Sequence, residues 1–265
     1  MTNPGTYELL NLAQRAGAQA AEHIRQSRYG KDLEIQTKSS PTDMVTMVDK
    51  ETEGIIKEML LGARPQDGFL GEESAEVTSN EITWVVDPID GTTNFVYGFP
   101  VFAVSIAARD FSGATLVGLV VDVYHGDCFY ATLGGGSFLN NRSIAVSNTN
   151  SLSQALVSTG FSYDKVTRVA QAKTLTHIIG EVRDIRRAGA ASLDLCYLAA
   201  GRVDGYYEVG LWPWDYAAGT LIVREAGGVV GSLNSDQPSQ EITVAGNTTI
   251  FKELRELLLT DGPSA

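Results

Sequence analysis

The segment WVVDPIDGTTNF, residues 84–95, joins an apolar run typical of a buried strand to two carboxylates and a polar turn. Asp87 and Asp90 stand three positions apart across Pro88, a spacing at which their oxygens can point at one place. Hard oxygen ligands without a nearby histidine or thiolate favour Mg²⁺, Mn²⁺ or Ca²⁺ over Zn²⁺. The same residues also fit a plain turn, in which Pro88 helps to reverse the chain and Thr92 caps a helix.

Length and charge limit the classes of protein that need to be considered. The chain has 265 residues and a formal net charge of −12. This length allows one large domain or two intimately packed halves. Because Lys and Arg make the phosphate contacts that dominate nucleic-acid affinity, the acidic balance argues against nucleic-acid binding by a general basic surface. A small phosphorylated molecule stays compatible with this charge if divalent cations screen the site.

Cysteine, histidine and hydropathy patterns exclude further classes. Cys128 and Cys196 lie far apart without a CxxC pattern, which favours buried apolar thiols over a disulfide or a metal site. The three histidines form no HExxH-like pattern, so zinc-hydrolase and Ser-His-Asp mechanisms are poorly supported. The N-terminal stretch lacks a basic region followed by an apolar core, and no apolar run approaches a membrane span. The sequence therefore predicts a soluble, unprocessed cytoplasmic protein with no membrane partner.

Hydrophobic periodicity predicts helices first, then strands, then an alternation of both. Residues 5–27 and about 46–61 show helical spacing of apolar side chains. Strand-like runs follow at 101–108, 115–122 and 127–132, with a glycine hairpin at 134–136. After the polar stretch 147–153, strands are predicted at 155–159, 182–186, up to 208 and at 242–245, and helices up to 179, from 190 and from 215.

Acidic residues recur in two further short motifs. Glu72 and Glu73 follow an apolar run in GEES, and Asp215 follows Trp214 in WPWDYAAG. Each has a plain alternative: the two glutamates fit solvated loop charges, and Asp215 fits a helix N-cap.

GEES, DPIDGTTNF and WDYAAG occur in the order, and at about the separation, found in the inositol monophosphatase family. The chain resembles this family of Mg²⁺-dependent, lithium-sensitive phosphatases over nearly its whole length. The resemblance implies an α/β (α+β) fold, a layered α/β/α/β/α sandwich of the sugar-phosphatase type. It also implies two intimately packed halves, residues 1–146 with most metal ligands and residues 147–265 with Asp215 and substrate contacts.

The resemblance implies a metal centre of two or three Mg²⁺ ions, with Mn²⁺ as an alternative. Glu72, Asp87 and the Ile89 carbonyl are the implied ligands of one ion. Asp87, Asp90 and Asp215 are the implied ligands of a second. Two cations that share a carboxylate, roughly 3.5 to 4 Å apart, clamp a phosphoryl group and stabilise the entering and leaving oxygens.

The resemblance also assigns catalytic roles to Glu72, Thr92 and Asp49. Thr92, paired with Asp49, is expected to position the attacking water. Taken by themselves, Thr46 and Asp49 make an equally serviceable capping box for the second predicted helix. The stretch KSSPTDMVTMVD, which begins at Lys38, also fits the family, and Lys38 is then expected on a mobile loop near the metals.

One set of substrate contacts is expected at the helix start that follows the signature. Gly91, Thr92 and Thr93 can offer backbone N–H groups to an anion there. The resemblance makes Asp90 and Asp215 substrate contacts as well as metal ligands.

A second set of substrate contacts is implied further along the chain. Gly189, Ala190 and Ala191 match a family position at another helix start, and Glu208 matches the residue that accepts hydrogen bonds from substrate hydroxyls. Many relatives carry Thr or Ser where this chain has Ala190, so a hydroxyl contact is missing while the backbone N–H remains. The plain alternative is a helix start of small residues packed against a sheet.

The resemblance therefore implies a phosphomonoesterase that hydrolyses myo-inositol monophosphate to inositol and phosphate with a metal-activated water. The same chemistry on fructose 1,6-bisphosphate, histidinol phosphate, a 3′-phosphonucleotide or NADP is the alternative. A non-catalytic regulatory protein with this fold is a further alternative. Arg186 and Arg187 are expected in surface ion pairs, with an interface role second, and a homodimer is expected from the resemblance alone.

Overall fold

The computed structural model describes residues 4–28, 35–37, 44–79 and 81–261. Within these ranges the chain forms seven helices, fourteen strands and a 3-10 turn at Leu152–Gln154. The helices are α1 Pro4–Arg28, α2 Met47–Ala63, α3 Thr92–Tyr97, α4 Lys165–Ile178, α5 Ala191–Ala199, α6 Pro213–Glu225 and α7 Thr248–Asp261. The strands are β1 Ile35–Thr37, β2 Met44–Thr46, β3 Gly68–Gly71, β4 Thr83–Asp90, β5 Ala103–Arg109, β6 Thr115–Asp122, β7 Cys128–Thr132, β8 Gly136–Leu139, β9 Arg142–Ser143, β10 Leu156–Thr159, β11 Asp184–Arg186, β12 Gly205–Glu208, β13 Val229–Gly231 and β14 Thr243–Gly246.

The larger sheet follows the chain from β3 to β9 in sequence order. β3 and β4 pair in parallel, and each later neighbour pairs antiparallel. Along β4, Val86 faces the core formed with α1 and α2, whereas Val85 faces the core formed with α5 and α6. Because successive side chains of a strand point to opposite faces, the continuous apolar run of β4 is buried on both sides of the sheet.

The smaller sheet has the order β11-β10-β12-β14-β13. β10 lies parallel to β11 and β12, and β14 lies antiparallel to β12 and β13. β1 and β2 form a separate antiparallel pair.

The elements stack in five layers. α1 and α2 cover the outer face of the larger sheet, α5 and α6 lie between the two sheets, and α4 and α7 cover the outer face of the smaller sheet. This arrangement confirms the predicted α/β sandwich. The larger sheet uses residues 68–143 and the smaller uses residues 156–246; the division into halves at residues 146 and 147 stays a prediction.

Element boundaries follow local chemistry. α2 begins after Thr46, whose side chain accepts from Asp49 N at 3.3 Å. α6 begins at Pro213, two residues before the predicted start at Asp215, because proline suits the first position of a helix. The predicted glycine hairpin is present between β7 and β8. In the described ranges no helix combines the length and the apolar character needed to cross a bilayer.

Candidate active site

An open cleft of about 510 Å³ lies where the ends of several elements meet. Glu72 reaches it from the loop after β3, Asp90 from the end of β4, and Asp215 from the first turn of α6. Glu208, the last residue of β12, lines the same cleft. The structure therefore brings together residues that lie far apart in the sequence.

The signature segment forms a strand with a bulge in place of the expected turn. β4 continues through Pro88 to Asp90, and its pairing with β5 shifts between Asp87 and Asp90. A β-bulge re-aims side chains and tolerates a proline, because one residue leaves the hydrogen-bond ladder. Asp87 Oδ1 accepts a hydrogen bond from the Ile89 N–H at 3.0 Å. The side chain of Asp87 therefore binds the backbone of the bulge in which it lies.

Four carboxylates share one electrostatic environment. Burial, and then the charges of Glu72, Asp90 and Asp215, raise the pKa of Asp87 well above its usual range. Burial and the charges of Asp90 and Glu72 likewise raise the pKa of Asp215 well above its usual range. Each acid therefore makes its neighbours harder to ionise, a situation that a bound cation relieves.

This donor set fits a hard divalent cation, since it offers only carboxylate and carbonyl oxygens. As the side chains stand, no three Asp, Glu, His or Cys residues in the described ranges are grouped to hold an ion. Asp90 and Asp215 direct oxygens at backbone N–H groups. Asp90 Oδ1 and Asp215 Oδ2 each accept one such bond and keep a second lone pair, whereas Asp90 Oδ2 also accepts from Ser192 Oγ. Binding an ion therefore requires adjustment of these side chains.

Asp90 binds the start of α5. Its Oδ2 accepts from Ser192 N at 2.7 Å and from Ser192 Oγ at 2.5 Å, and its Oδ1 accepts from Ala191 N at 3.2 Å. Burial raises the pKa of Asp90, while these hydrogen bonds oppose the rise. The Ala191 N–H, a predicted substrate contact, is thus already donating to Asp90. Ala190 is the N-cap residue of α5 and makes no side-chain cap bond.

Gly91 allows the chain to turn from β4 into α3. Its φ of 90° lies in the left-handed region, and a Cβ there would come within 2.9 Å of the Val101 carbonyl oxygen. α3 then begins at Thr92. First-turn N–H groups of a helix have no intrahelical acceptor, so the predicted anion contacts at Gly91, Thr92 and Thr93 occupy a suitable place.

Asp49 makes the helix-capping bonds and also contacts Thr92. Its Oδ2 accepts from Thr46 N at 2.8 Å, which completes the capping box of α2. Its Oδ1 lies 3.0 Å from Thr92 Oγ1, which is also 3.0 Å from the Ile89 carbonyl oxygen. Asp49 is fully buried, so the capping bonds hold its second oxygen in position for Thr92.

Asp215 is the third helical residue of α6 rather than its N-cap. Its Oδ2 accepts from the N–H of the N-cap residue Trp212 at 2.7 Å. The Trp212 and Trp214 rings stack at a centroid distance of 5.5 Å and 10° between planes, and both line the cleft. Trp212 is about half exposed, so the cleft has an aromatic wall at its mouth.

Glu208 is buried at the end of β12. Tyr206 Oη donates to its Oε2 at 2.8 Å. Burial raises the pKa of Glu208 to about 7, and the Tyr206 bond and the charge of Arg187 limit the rise. A Cβ on Gly160 would overlap the Glu208 carboxylate, so any larger residue at position 160 would displace this acid.

Sequence reasoning missed four residues that shape the cleft. Gly160 makes room for Glu208, and Ser192 binds Asp90. Glu53, on α2, accepts from Glu73 N at 2.8 Å and so holds the GEES loop. Arg187 was expected in a surface ion pair but lines the cleft. Of these four residues, Glu53 had a local signal in the sequence, because it is a glutamate on the apolar, buried face of α2. The contacts of the other three join residues that lie far apart in the sequence.

The remaining predicted residues fall away from the cleft or outside the described residues. Arg186 pairs with Asp184 at 2.6 Å between exposed side chains, as expected. Cys196 is a free, buried thiol and Cys128 is free and partly buried. Lys38 lies outside the described residues.

Comparison with known proteins identifies the relatives of this chain. The model of the inositol monophosphatase family matches residues 6–260. The inositol-1-monophosphatase SuhB of Mycobacterium tuberculosis is 44% identical over 248 residues, which cover 86% of this chain and 85% of that protein. The Nus factor SuhB of Vibrio cholerae is 45% identical over 264 residues and 98% of each chain.

Solved structures agree with the sequence matches. The extragenic suppressor protein suhB from Bartonella henselae superposes with a TM-score of 0.88 and 36% identity, over 95% of this chain and 98% of that one. A family match across nearly the whole length, relatives above 40% identity and the same fold lead to one conclusion. The chain belongs to the inositol monophosphatase family.

Proposed function

We propose that this chain is a Mg²⁺-dependent phosphomonoesterase that hydrolyses myo-inositol monophosphate to inositol and phosphate. The observation that carries the proposal is the convergence of Glu72, Asp90 and Asp215 on one cleft, with Asp87 buried in the same cluster. The family is generally metal-dependent, and the all-oxygen donor set favours Mg²⁺, with Mn²⁺ as the alternative. Inhibition by lithium belongs to the same proposal.

The proposed ligands are those that the family motif implies. Glu72, Asp87 and the Ile89 carbonyl would hold one ion, and Asp87, Asp90 and Asp215 a second. When bound, the cations supply positive charge that stabilises the phosphoryl oxygens and acidifies water. The mutual repulsion that raises the pKa of Asp87 and Asp215 supports this assignment, because cations remove it.

Thr92 and Asp49 would orient the attacking water. The single hydroxyl hydrogen of Thr92 is committed to Asp49 Oδ1 or to the Ile89 carbonyl, each 3.0 Å away. Its oxygen can therefore act toward a water only as an acceptor. A water that donates to this oxygen would be held in one orientation and would keep a lone pair for attack on the phosphorus.

Glu208 would recognise the hydroxyls of the substrate. Its Oε2 already accepts from Tyr206, so Oε1 is the oxygen with the greater remaining capacity for vicinal hydroxyls. Arg187 lies close enough to influence the charge of Glu208. The backbone N–H groups of Gly189 and Ala190 remain proposed contacts of the substrate. The Ala191 N–H can donate to the substrate only if it no longer donates to Asp90.

A phosphate-release panel with the purified protein tests the proposal. The panel contains myo-inositol 1-phosphate, fructose 1,6-bisphosphate, histidinol phosphate, a 3′-phosphonucleotide and NADP. We expect the highest kcat/KM for inositol phosphate. A higher value for another member would keep the chemistry and replace the substrate, and no release from any member with Mg²⁺ present would refute the proposal.

A regulatory role is the second candidate function. It is favoured by the relative named Nus factor SuhB, which is as similar to this chain as the relatives named for the phosphatase. A role of this kind would rest on protein or RNA partners and not on turnover. An Asp87→Asn variant separates the two: a partner-binding function survives this change and phosphate release does not.

We also propose a homodimer and a cytoplasmic location.

A further inference from the structure

A second cavity lies beside α6, and among the described residues it shares no lining residue with the acidic cleft. Its volume is about 610 Å³, which lies in the usual range for small-molecule sites. The turn between β5 and β6 forms one wall, and α6 forms another. Apolar side chains such as Leu221 and Pro238 complete the lining.

Arg109 brings a positive charge without an ion-pair partner to this cavity. Its side chain is partly buried, burial lowers its pKa, and its enclosed Nε has no hydrogen-bond partner among the described residues. Tyr216 hydrogen-bonds the guanidinium, but a phenol carries no negative charge near neutral pH. No carboxylate within the described part of the chain forms an ion pair with Arg109. Charges that are removed from water in folded proteins are normally paired, so this partly buried guanidinium is a suitable partner for an anion.

Thr220 lines the same cavity, and its hydroxyl oxygen is enclosed within the wall. The residue is only 7% exposed, and its Oγ1 has no hydrogen-bond partner in the described part of the chain. Tyr216, Thr220 and Arg224 are spaced four residues apart on α6, so they lie on one face of the helix. An anion near Arg109 would give the Thr220 hydroxyl the acceptor that it lacks once the side chain turns the hydroxyl into the cavity.

Arg224 adds a fixed cationic group to the wall. Its Nη2 donates to the backbone oxygens of Asp236 at 2.6 Å and Val230 at 3.0 Å. Glu225 also lines the cavity, but its two carboxylate oxygens accept from Gly134 N and Gly136 N, each at 2.8 Å. Glu225 keeps its negative charge, but both of its oxygens are directed at the hairpin, and among the described lining residues two arginines face one carboxylate.

We propose that this cavity binds a small organic anion whose carboxylate or phosphate group pairs with Arg109. Arg224 completes the cationic wall, Thr220 donates its hydroxyl, and the apolar side chains contact the body of the ligand. The site is separate from the acidic cleft and does not depend on the proposed phosphatase function. The two sites nevertheless share α6, which carries Asp215 in its first turn.

The test is a titration of the full-length protein, labelled with ¹⁵N-arginine, with sulfate and with acetate. Sodium chloride at matched ionic strength is the control. We expect the Arg109 Nε–H resonance to shift saturably with at least one oxyanion and not with chloride, while the exposed Arg142 stays unchanged. Tighter binding of sulfate identifies a phosphate-type ligand, and tighter binding of acetate identifies a carboxylate.

Variants decide whether the cavity is responsible. Arg109→Gln should weaken binding about tenfold or more, because a charge-assisted hydrogen bond is lost. Thr220→Val, which keeps the shape, should weaken it several-fold. Arg142→Gln is the matched control, and Asp87→Asn excludes the acidic cleft; both should bind as the wild type does.

Two results would overturn the proposal. The first is an Arg109 resonance that moves equally with chloride or with no anion at all. The second is undiminished oxyanion binding in both Arg109→Gln and Thr220→Val. Arg109→Gln should fold, since it removes a partly buried charge without an ion-pair partner; if it does not, Thr220→Val and the wild-type titration still decide the matter.

Discussion

Thr92 Oγ1 lies 3.0 Å from Asp49 Oδ1, a contact that joins the first residue of α3 to the first turn of α2. Asp49 is held from behind by the Thr46 N–H at 2.8 Å. The capping bond from Thr46 therefore holds the Asp49 carboxylate in place, and this carboxylate in turn holds the Thr92 hydroxyl. In the proposed mechanism this chain of contacts orients the water.

Changes to this pair should lower turnover with little effect on KM. Thr92→Ala and Asp49→Asn should each reduce kcat about a hundredfold, because they misplace the nucleophile without removing a phosphate contact. Asp49→Asn should also cost about 1 kcal/mol of stability through the capping box. Steady-state kinetics and denaturant unfolding measure the two effects.

Asp164→Ala is the matched control for this pair. Asp164 is the exposed N-cap of α4 and accepts from Thr167 N at 2.8 Å. This variant should lose about 1 kcal/mol of stability and keep its kcat. If Asp49→Asn likewise loses stability and keeps its kcat, Asp49 is only a cap.

The acidic cluster should make the stability of the metal-free protein fall as the pH rises. The pKa values of Asp87, Asp90 and Asp215 are raised in the folded state. The folded protein therefore holds more protons than the unfolded chain above about pH 4, and stability declines as these acids ionise. Thermal melts in chelator at pH 5 and pH 8 should show a lower melting temperature at pH 8.

Asp87→Asn and added Mg²⁺ provide the controls for this pH effect. Each should flatten the decline, the variant by removing a carboxylate and the cation by neutralising the cluster. A decline of the same steepness under all three conditions would mean that other groups cause it.

Glu208→Gln should separate substrate recognition from phosphate chemistry. The change should cost ~1.5 to 3 kcal/mol of transition-state stabilisation in kcat/KM for inositol phosphate, the scale of a charge-assisted hydrogen bond. An aryl phosphate without hydroxyls should hardly be affected. Because the pKa of Glu208 is raised to about 7, the difference between wild type and variant should shrink as the pH falls below 7. Equal losses on both substrates would instead assign Glu208 to the fold or the metal centre.

Ala190→Ser should restore a hydroxyl at the start of α5. Ala190 is the N-cap residue and has no side-chain cap bond. A serine there should stabilise the protein by about 1 kcal/mol, because a hydroxyl can accept from a first-turn N–H. If the hydroxyl also contacts the substrate, KM for inositol phosphate should fall while the aryl phosphate KM stays constant. Unchanged stability in denaturant unfolding would show that Asp90 and Ser192 already satisfy this helix end.

Much of the architecture could be predicted because its signals are local. The apolar run of β4, the helical spacing of α1 and the Thr46–Asp49 cap are each contained in a short window of sequence. The acidic motifs could be assigned to one cleft only through the family resemblance. The sequence around Glu72 and the sequence around Asp215 contain no local signal that the two side chains lie close together in the fold.

The contacts that sequence reasoning missed join distant positions. Ser192 and Asp90 are 102 residues apart, and Gly160 faces Glu208 across two neighbouring strands. Such contacts depend on strand order and register, which local periodicity does not encode. Arg187 was assigned to the surface because most arginines lie there, whereas the segment between β11 and α5 places it in the cleft.

The central claim is that the acidic cluster around Asp87 works through a divalent cation, and one measurement tests it directly. Phosphate release from myo-inositol 1-phosphate is measured for the wild type and for Asp87→Asn, after exhaustive chelation and again during titration with Mg²⁺. We expect no release without metal, full recovery in the wild type, and a rate lower by orders of magnitude in Asp87→Asn at every Mg²⁺ concentration. Undiminished release after chelation, or an Asp87→Asn variant as active as the wild type, would contradict the account.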